Sequence, residues 1–285
     1  MSMNSLVIPS PAKINLFLKV VGKRPDGYHE IITLLSRIGL FDTVVLSFNQ
    51  SATSVECAHP KVPEDRSNLA HRAASLFFDA LSVHDGVAIF IDKVIPVAAG
   101  LGGGSSNAAA VLMGLNQHYG LPLTDGKLME IALKVGADVP FFVFRHSAIA
   151  RGIGDHLEVY KDLPPLSVVL VRPLFEVSTG WVYKNLNLGL TNCEKSIKNR
   201  YFEQDFSRVT DFLCNDLEQV TIRKFPEIKI IKQALLDVGA ETALMTGSGP
   251  SVFGLFKDGH QAAEAFHSIR DRGRWDTFLV ELLRP

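Results

Sequence analysis

Short apolar runs alternate with amphipathic segments along the first half of the chain. The runs are rich in β-branched and aromatic residues, which predicts strands at residues 14–21, 44–48, 87–91 and 141–144. Between them, apolar residues recur at helical spacing over residues 68–83, 105–118 and 125–135, which predicts three helices. The first half therefore mixes strands and helices.

The second half begins after a proline pair, Pro164 and Pro165, which we interpret as a domain boundary. An apolar strand is predicted directly after it, at residues 168–171. A polar stretch follows at residues 185–199, and then the pattern predicts a helix at residues 228–236 and a strand ending near Met245. A Gly-Ser-Gly-Pro turn then leads to predicted strands at residues 252–256 and 278–282.

Composition and charge narrow the functional classes. The chain has 285 residues, of which 47% are hydrophobic and 21% charged, which excludes intrinsic disorder. Its 29 basic and 30 acidic residues give a formal net charge of −1. Because phosphate-backbone binding needs a basic excess, nucleic acid is not an expected partner.

The cysteines and the apolar runs bear on the cellular compartment. Cys57, Cys193 and Cys214 are far apart and form no CxxC pair, so we expect free thiols in a reducing compartment. No run reaches the roughly 18 apolar residues that span a bilayer, and the first ten residues lack a signal-peptide pattern. We expect a soluble, cytoplasmic protein with no membrane partner.

A glycine-rich loop is the most informative segment. Four of the five residues from Gly100 to Gly104 are glycine, a strand is predicted before them and a small-residue helix after them. Glycines let backbone N–H groups gather around an anion, and the start of a helix adds unpaired donors and a positive dipole end. The loop therefore predicts a phosphate site. The alternative is a tight turn that lets the helix pack closely on a sheet.

The loop matches neither of two common nucleotide motifs. No GxxxxGK[ST] occurs in the chain, and Ser105 stands where the last glycine of GxGxxG would be. Without further motifs, the sequence would indicate only a two-domain protein of strands and helices with an anion-binding loop.

Four further segments give the loop a family context. The loop, Pro-x-x-x-Gly-Leu-Gly-Gly-Gly-Ser-Ser, resembles the phosphate loop of the superfamily of galactokinase, homoserine kinase, mevalonate kinase and phosphomevalonate kinase. Ser-Pro-Ala-Lys-Ile-Asn-Leu (10–16), Arg-Pro-Asp-Gly-Tyr-His (24–29) and Gly-Ala-Asp-Val-Pro-Phe-Phe (136–142) resemble its branch that phosphorylates 4-diphosphocytidyl-2-C-methyl-D-erythritol. Thr-Gly-Ser-Gly-Pro-Ser (246–251) resembles the superfamily's C-terminal glycine motif. Asn107 stands where aspartate is common, and we expect this difference to matter little.

The resemblance implies a fold and a reaction. The fold is α+β, a two-domain small-molecule kinase with a ribosomal S5-like N-terminal domain and a ferredoxin-like C-terminal domain. We place the ATP-binding and catalytic domain at residues 1–163 and the substrate-binding domain at residues 164–285. The implied reaction is ATP-dependent phosphorylation of the 2-hydroxyl of the cytidine diphosphate methylerythritol, in the non-mevalonate isoprenoid pathway.

Two residues carry the expected chemistry. Asp138 precedes a strongly apolar run, where a partly desolvated carboxylate can take a hydroxyl proton, and we assign it as general base. Its alternative is an ordinary helix cap or turn residue. Lys13 interrupts an apolar strand, so it lies either on an exposed face or beside a functional partner. The resemblance implies that Lys13 acts with Asp138 at the acceptor hydroxyl.

The resemblance also implies a binding site for the cytosine. Tyr28 and His29 lie in a Pro-Asp-Gly turn, where core packing explains an aromatic side chain less readily. They would meet the base, and Tyr183 would stack on its other face, with Trp181 and Phe175 as competitors for that role. Asn15 is placed at the substrate edge, with a structural hydrogen bond as its alternative. Gly247 and Ser248 are also placed at the substrate. Their alternative is a purely structural turn between two strands.

ATP and Mg2+ are the expected cofactors. The phosphates would be bound by the glycine-rich loop and the residues that flank it: Pro96, Val97, Ala98, Ala99, Gly100, Leu101, Gly102, Gly103, Gly104, Ser105 and Ser106. Asn68 and Lys93 are candidates for the adenine side, and a helix start or a solvated charge is their alternative. The Mg2+ ligands cannot be read from the sequence, and scattered histidines without HExxH spacing argue against zinc.

Two alternative functions remain open. Another small-molecule kinase of the superfamily would have no nucleobase for Tyr28 and His29 to recognise. A catalytically silent nucleotide-binding protein would have no need of Lys13 and Asp138. The expected partner is a small molecule, and the sequence does not indicate an oligomeric state.

Overall fold

The structure is a computed structural model that describes residues 5–161, 163–191, 193 and 205–283. The chain packs into two compact units. The first contains residues 1–12, 40–97 and 102–145, and the second contains residues 13–39, 98–101 and 146–285. Two long strands, β1 (Ser5–Lys23) and β2 (His29–Gln50), contribute residues to both units.

The first unit combines strand ladders with helices. Its further elements are β3 (Ser54–Glu56), α1 (Leu69–Leu81), β4 (Gly86–Asp92), α2 (Gly103–His118), α3 (Asp125–Val135) and α4 (Val139–Phe144). Strand β4 pairs with β2 in antiparallel register and with β3 in parallel register. Helix α2 packs against α1 and α4. Its alanines Ala108, Ala109 and Ala110 are fully buried, because small side chains let α2 lie within the layer of helices.

Besides its parts of β1 and β2, the second unit contains β5 (Ala148–Gly152), β6 (His156–Val159) and, as its last strand, β11 (Asp276–Glu281). Between them lie β7 (Ser167–Arg172), α5 (Thr179–Lys184), a 3₁₀ helix (Leu188–Leu190), α6 (Phe206–Phe212), β8 (Cys214–Asn215), α7 (Glu218–Lys224), α8 (Glu227–Asp237), β9 (Thr242–Met245), β10 (Val252–Phe256) and α9 (Gly259–Arg270). Within this unit, β8 pairs in parallel register with β1, and β5 pairs with β2 and β6.

The C-terminal sheet has the order β11-β7-β10-β9, and all its pairings are antiparallel. With α8 between β7 and β9 and α9 between β10 and β11, the chain follows the βαββαβ order of a ferredoxin-like domain. Its core joins apolar residues of β7 and β10 to the inner faces of α8 and α9, including Val169, Val252, Ile231 and Ala265. The expected fold class is confirmed.

One predicted element is wrong in type. Residues 141–144, predicted as a strand, belong to helix α4, in which Phe141 and Phe142 are buried. A short apolar run fits a buried strand or a buried helix equally well, so its period cannot decide. The missed signal is Pro140, because proline is favoured in the first turn of a helix.

The division into units does not follow the expected boundary at residues 163 and 164. The division falls within β1, within β2, on either side of residues 98–101 and after residue 145. The assignment of ATP binding to residues 1–163 and of substrate binding to residues 164–285 stays a prediction. The polar stretch 185–199 lies partly outside the described residues. Within the described part of the chain, no helix combines the length and the apolar character that a bilayer span needs.

The expectation of three free thiols is wrong for two cysteines. Cys193 and Cys214 form a disulfide in the second unit, with Cα atoms 5.9 Å apart, while Cys57 is free and buried. The two residues are 21 positions apart, and only the pairing of β8 with β1 fixes where Cys214 lies. Sequence spacing therefore carried no signal for this bond.

Candidate functional site

The glycine-rich loop leads into helix α2. Gly100 and Gly102 have φ values of +77° and +70°, and Gly102 is the residue that caps the helix. A Cβ at Gly100 would lie 2.5 Å from the carbonyl oxygen of Thr246, so a side chain does not fit there. Ser105 is half-buried and Ser106 is buried, in the first turn of α2. Free N–H groups at this helix start suit an anion.

A buried polar network lies beneath that helix start. In what we call the phosphate-loop network, the Asp42 carboxylate accepts hydrogen bonds from Lys93 Nζ at 2.7 Å and from Asn107 Nδ2 at 2.9 Å. Asn107 also donates to Ser10 Oγ, and Ser10 Oγ donates to Ser106 Oγ at 2.8 Å. Asp42 is fully buried, so the ion pair is shielded from solvent.

The network changes the interpretation of Lys93. Its side chain is only 6% exposed and also donates to the carbonyl oxygen of Ile95, so the alternative of a solvated charge is wrong. A Cβ at Gly103 would lie 2.9 Å from Lys93 Nζ, which explains why glycine stands at the first position of α2. The predicted contact of Lys93 with adenine stays a prediction.

Asn68 has the structural role that was its alternative. It caps α1, with its Oδ1 accepting from the backbone N–H of Ala70 at 2.8 Å and its Nδ2 donating to the carbonyl oxygen of Pro63 at 2.6 Å. An adenine contact could use only the second hydrogen of Nδ2 or the second lone pair of Oδ1, and this role stays a prediction.

A second network, the acceptor network, surrounds Lys13 and Asn15 in the second unit. Lys13 is buried in β1 and donates to Asn15 Oδ1 at 2.7 Å and to the carbonyl oxygen of Gly100 at 2.8 Å. Asn15 Nδ2 donates to Thr33 Oγ1, and the backbone N–H of Asn15 donates to Thr246 Oγ1 at 2.9 Å. The alternative of an exposed lysine is wrong, and Asn15 orients the ammonium of Lys13.

The glycine turn, residues 246–251, connects β9 to β10. At Gly247, with φ of +57°, a Cβ would lie 3.3 Å from both Lys13 Nζ and Asn15 Oδ1. Ser248 Oγ shares a hydrogen bond with Thr179 Oγ1 at 2.8 Å. The predicted residues Gly247 and Ser248 thus lie in a strand-to-strand turn, and Gly247 lies beside the acceptor network. Their contact with substrate stays a prediction.

Asp138 precedes helix α4 in the first unit. It occupies the cap position, but its carboxylate makes no capping hydrogen bond, and the side chain is half-buried. A helix cap would use the carboxylate, so that part of the alternative does not apply, and an ordinary turn residue remains as the alternative. The role of Asp138 as general base stays a prediction.

The structure brings together two of the predicted base-binding residues. The rings of His29 and Tyr183 stack on each other with centroids 5.0 Å apart, which leaves no space for a base between these two rings. The stacking of Tyr183 on cytosine stays a prediction. Phe175 and Trp181, the competitors of Tyr183, contact Phe225 instead. Among the three aromatic residues, Tyr183 is therefore the one described in contact with His29.

The environment of this pair also fits a ligand. The side chain of Tyr28 is 59% exposed directly before β2, where it is accessible to a ligand. Burial, and secondarily the charge of Lys23, lowers the pKa of His29 below its ordinary value. His29 is therefore neutral at pH 7, with one ring nitrogen that donates and one that accepts.

Among the described residues, no group of three or more potential metal ligands fits Mg2+. Their one cluster of potential metal ligands joins Cys193, Cys214 and Asp216. The two sulfurs are bonded to each other, and Asp216 accepts from the backbone N–H groups of Val20 and Cys193. Mg2+ prefers oxygen ligands, so this cluster does not fit it.

Three residues of these networks were missed by sequence reasoning: Asp42, Thr33 and Thr246. The sequence did contain a signal for Asp42. It is a charged residue among apolar strand residues, and a buried charge needs a partner. The other two are recognisable only through contacts with distant parts of the chain.

Comparison with known proteins agrees with this geometry. The family model for the GHMP kinases N terminal domain matches residues 68–146, and the model for the GHMP kinases C terminal domain matches residues 197–274. A crystal structure of homoserine kinase from Cytophaga hutchinsonii, 19% identical, shares the fold over the whole chain and 96% of its own length, with a TM-score of 0.76. The chain is a GHMP-type small-molecule kinase.

Closer relatives specify the family. The 4-diphosphocytidyl-2-C-methyl-D-erythritol kinase of Syntrophotalea carbinolica is 48% identical over 95% of this chain and 97% of its own. The protein of the same name from Pelobacter propionicus is 46% identical over 99% of this chain and 100% of its own. A crystal structure of 4-(cytidine 5'-diphospho)-2C-methyl-D-erythritol kinase, 33% identical, superposes with a TM-score of 0.82 over 97% of this chain and 99% of that one. The chain belongs to the 4-diphosphocytidyl-2-C-methyl-D-erythritol kinase family, as the sequence motifs predict.

Proposed function

We propose that this protein transfers the γ-phosphoryl group of ATP to the 2-hydroxyl of 4-diphosphocytidyl-2-C-methyl-D-erythritol, with Asp138 and Lys13 as its catalytic residues. The observation that carries the substrate assignment is the His29–Tyr183 stack, with Tyr28 exposed next to it in sequence. A neutral imidazole can hydrogen-bond to the edge of a cytosine, and aromatic faces suit base stacking. A homoserine or mevalonate acceptor offers no such base.

The acceptor hydroxyl needs a group that removes its proton. Asp138 fits this role because its carboxylate is half-buried and does not cap α4. Proton removal as the new P–O bond forms makes the hydroxyl oxygen a better nucleophile. The proton goes to the carboxylate, and the terminal phosphoryl group leaves ADP.

Lys13 supplies a positive charge for the same step. Its hydrogen bonds to Asn15 and to the carbonyl of Gly100 orient the ammonium before substrate binds. A charge that is already oriented stabilises the transferring phosphoryl group without a reorganisation cost during the reaction. Phosphoryl transfer depends chiefly on such positioning and charge compensation.

ATP would be bound by the glycine-rich loop and the start of α2. The N–H groups of the first helical turn and the Ser105 hydroxyl are the donors for its phosphates. Mg2+ accompanies the nucleotide and offsets phosphate charge. The nucleotide phosphates and water would be its main ligands.

The first test is ADP release from Mg-ATP with four acceptor conditions: the cytidine diphosphate methylerythritol, homoserine, mevalonate and no acceptor. We expect turnover only with the cytidine substrate. Turnover with another acceptor would contradict the role of His29 and Tyr183. ATP binding without any turnover would instead support a silent nucleotide-binding protein.

The same assay tests the general base. Asp138→Asn keeps the size of the side chain but removes the proton acceptor, so turnover should fall by about 10² or more while the KM for ATP stays nearly unchanged. Asp125→Asn is the matched control, since Asp125 is an exposed carboxylate in the first turn of α3. Near-normal turnover of Asp138→Asn would remove Asp138 from the mechanism.

A further inference from the structure

Asn215 is a buried residue that no motif singles out. It ends the two-residue strand β8, which pairs in parallel register with β1 at Phe17 and Leu18. Its side chain is 6% exposed. Because a buried amide must find hydrogen-bond partners, what it bonds to indicates what it does.

Both hydrogens of the Asn215 amide go to the glycine turn and the strand before it. Nδ2 donates to the carbonyl oxygen of Met245 at 2.7 Å and to that of Gly247 at 2.8 Å. Oδ1 accepts from the backbone N–H of Leu217 at 2.9 Å, which fixes the orientation of the amide. The donor capacity of the side chain is therefore fully used.

The glycine turn has little room to move on its other side. Gly247 lies beside Lys13 Nζ and Asn15 Oδ1, where an added Cβ would already be 3.3 Å away. The neighbouring Thr246 Oγ1 accepts from the backbone of Asn15. The turn is thus held between Asn215 and the residues that orient the ammonium of Lys13.

The direction of one peptide bond follows from this contact. In a trans peptide the N–H points opposite to the preceding carbonyl. With the carbonyl of Gly247 bonded to Asn215, the N–H of Ser248 faces away from Asn215. Asn215 therefore sets which backbone groups the turn presents beside the acceptor network.

The residues after Asn215 reinforce the same strand. Glu218 is buried, and its Oε2 accepts from the backbone N–H of Met245 at 2.8 Å, while Lys232 balances its charge. Met245 is thereby held through both its N–H and its carbonyl. Asn215 differs from Glu218 in reaching into the turn itself.

We propose that Asn215 is a positioning residue of the phosphoryl-transfer site, which holds the glycine turn against the Lys13 and Asn15 side chains by donating to the carbonyls of Met245 and Gly247. It touches neither substrate nor ATP in this role. Its kinetic consequence rests on the proposed function, whereas its effect on the turn does not.

The test is Asn215→Asp, which keeps the shape and the acceptor for Leu217 but places a carboxylate against two carbonyl oxygens. Burial and these oxygens raise the pKa of the new carboxyl, so it protonates at mildly acidic pH and then donates one hydrogen bond. We expect kcat to fall roughly tenfold or more at pH 8, relative to wild type, and the deficit to shrink to about threefold near pH 6. The KM for ATP should change less than kcat.

Asn116→Asp is the matched control. Asn116 is also buried and also fixes a backbone segment, by bonding both the N–H and the carbonyl of Leu123 near the end of α2 remote from the glycine-rich loop. Its kcat relative to wild type should stay constant with pH. The proposal is overturned if kcat of Asn215→Asp, divided by kcat of wild type, stays near one or is reduced by the same factor at every pH.

Hydrogen–deuterium exchange provides a readout that does not depend on turnover. At pH 8, backbone exchange of residues 246–251 should be about tenfold or more faster in Asn215→Asp than in wild type, and unchanged in Asn116→Asp. An unchanged rate in Asn215→Asp overturns the proposal. If wild type proves inactive on the cytidine substrate, the proposed function fails, and the exchange rates still decide whether Asn215 holds the turn.

Asn215→Ser is a second variant, which tests the proposal if Asn215→Asp does not fold. Asn215→Ser keeps one shorter donor, so it should give an intermediate loss of kcat and intermediate exchange of the turn. Wild-type values of both quantities in Asn215→Ser would overturn the proposal.

Discussion

The phosphate-loop network and the acceptor network each hold a buried lysine, but they hold it in different ways. Lys93 is paired with the Asp42 carboxylate, which is fully buried and also accepts from the backbone N–H groups of Val94 and Ile95. The hydrogen bonds described for Lys13 end on uncharged oxygens, those of Asn15 and Gly100. These bonds orient the ammonium of Lys13.

The proposed function gives the two lysines different roles, a mainly structural one for Lys93 and a chemical one for Lys13. An ion pair inside the first unit fixes the segment before the glycine-rich loop and stabilises the folded state only while both partners are present. In the proposed function, an amide and a carbonyl orient Lys13, and its charge acts on the transferring phosphoryl group. Substitutions in the two networks should therefore affect different quantities.

The largest expected effects come from replacing each lysine by methionine. Lys93→Met leaves the Asp42 carboxylate buried without its cation, so the free energy of unfolding should fall by about 3–5 kcal/mol. Lys13→Met removes an oriented charge, so kcat should fall by about 10² to 10³ in the folded enzyme. Denaturant unfolding and ADP release, measured on both variants, check the two expectations.

A crossed result would break the comparison. If Lys13→Met loses more stability than Lys93→Met, the lysine of the acceptor network is mainly structural. If Lys93→Met remains stable but loses turnover as strongly as Lys13→Met, Lys93 has a functional role besides its ion pair with Asp42. Lys127→Met, which removes an exposed lysine from the surface of α3, is the control for the loss of a lysine as such.

Much of the framework of these networks could be predicted from sequence, because it depends on local pattern. Helices α1, α2 and α3 were predicted from apolar spacing, and Asn68 lies at the start of α1 as its residue type favours. The glycine-rich loop was recognised from composition alone, since its glycines adopt backbone angles that other residues disfavour.

The partners of the candidate site residues could not be predicted, because they join distant segments. Asn15 and Thr246 are 231 positions apart, and Asn215 and Gly247 are 32 apart. No period or motif encodes such pairs. Lys13 illustrates the limit: the sequence showed that a lysine interrupts a strand, but only the fold shows that Gly100 and Asn15 orient it.

A smaller effect is expected from Asn107→Asp, which the resemblance alone suggested would matter little. Asn107 donates to Asp42, so an aspartate would place a second carboxylate against the first. The free energy of unfolding should fall by about 1–3 kcal/mol at pH 7, as when a buried hydrogen bond is replaced by an unsatisfied contact. Chemical denaturation at several pH values measures it.

The pH dependence gives Asn107→Asp a distinct signature. Asp42 raises the pKa of the new carboxyl in the folded state above its unfolded value, so folding favours the protonated form. The stability deficit should therefore be small at low pH and should grow as pH rises through the two pKa values. A deficit that is the same at pH 4 and pH 8 would show that Asn107 acts through its shape and not through its donor.

The smallest expected effect concerns His29, which lies outside both networks. Burial lowers its pKa, so the imidazole is neutral at pH 7 and becomes charged only as pH falls below its ordinary range. If the neutral ring recognises cytosine, the KM for the cytidine substrate should be constant from pH 8 to pH 7 and then rise on acidification, by at most about tenfold per pH unit. The unfolded state protonates first as pH falls, so the free energy of unfolding should decline over the same range.

Steady-state kinetics of wild type and His29→Gln check the pH dependence of KM, since glutamine offers a donor and an acceptor but does not titrate. A rise in KM that persists in His29→Gln would assign the acid sensitivity to another group and would leave the stack with Tyr183 as a structural contact.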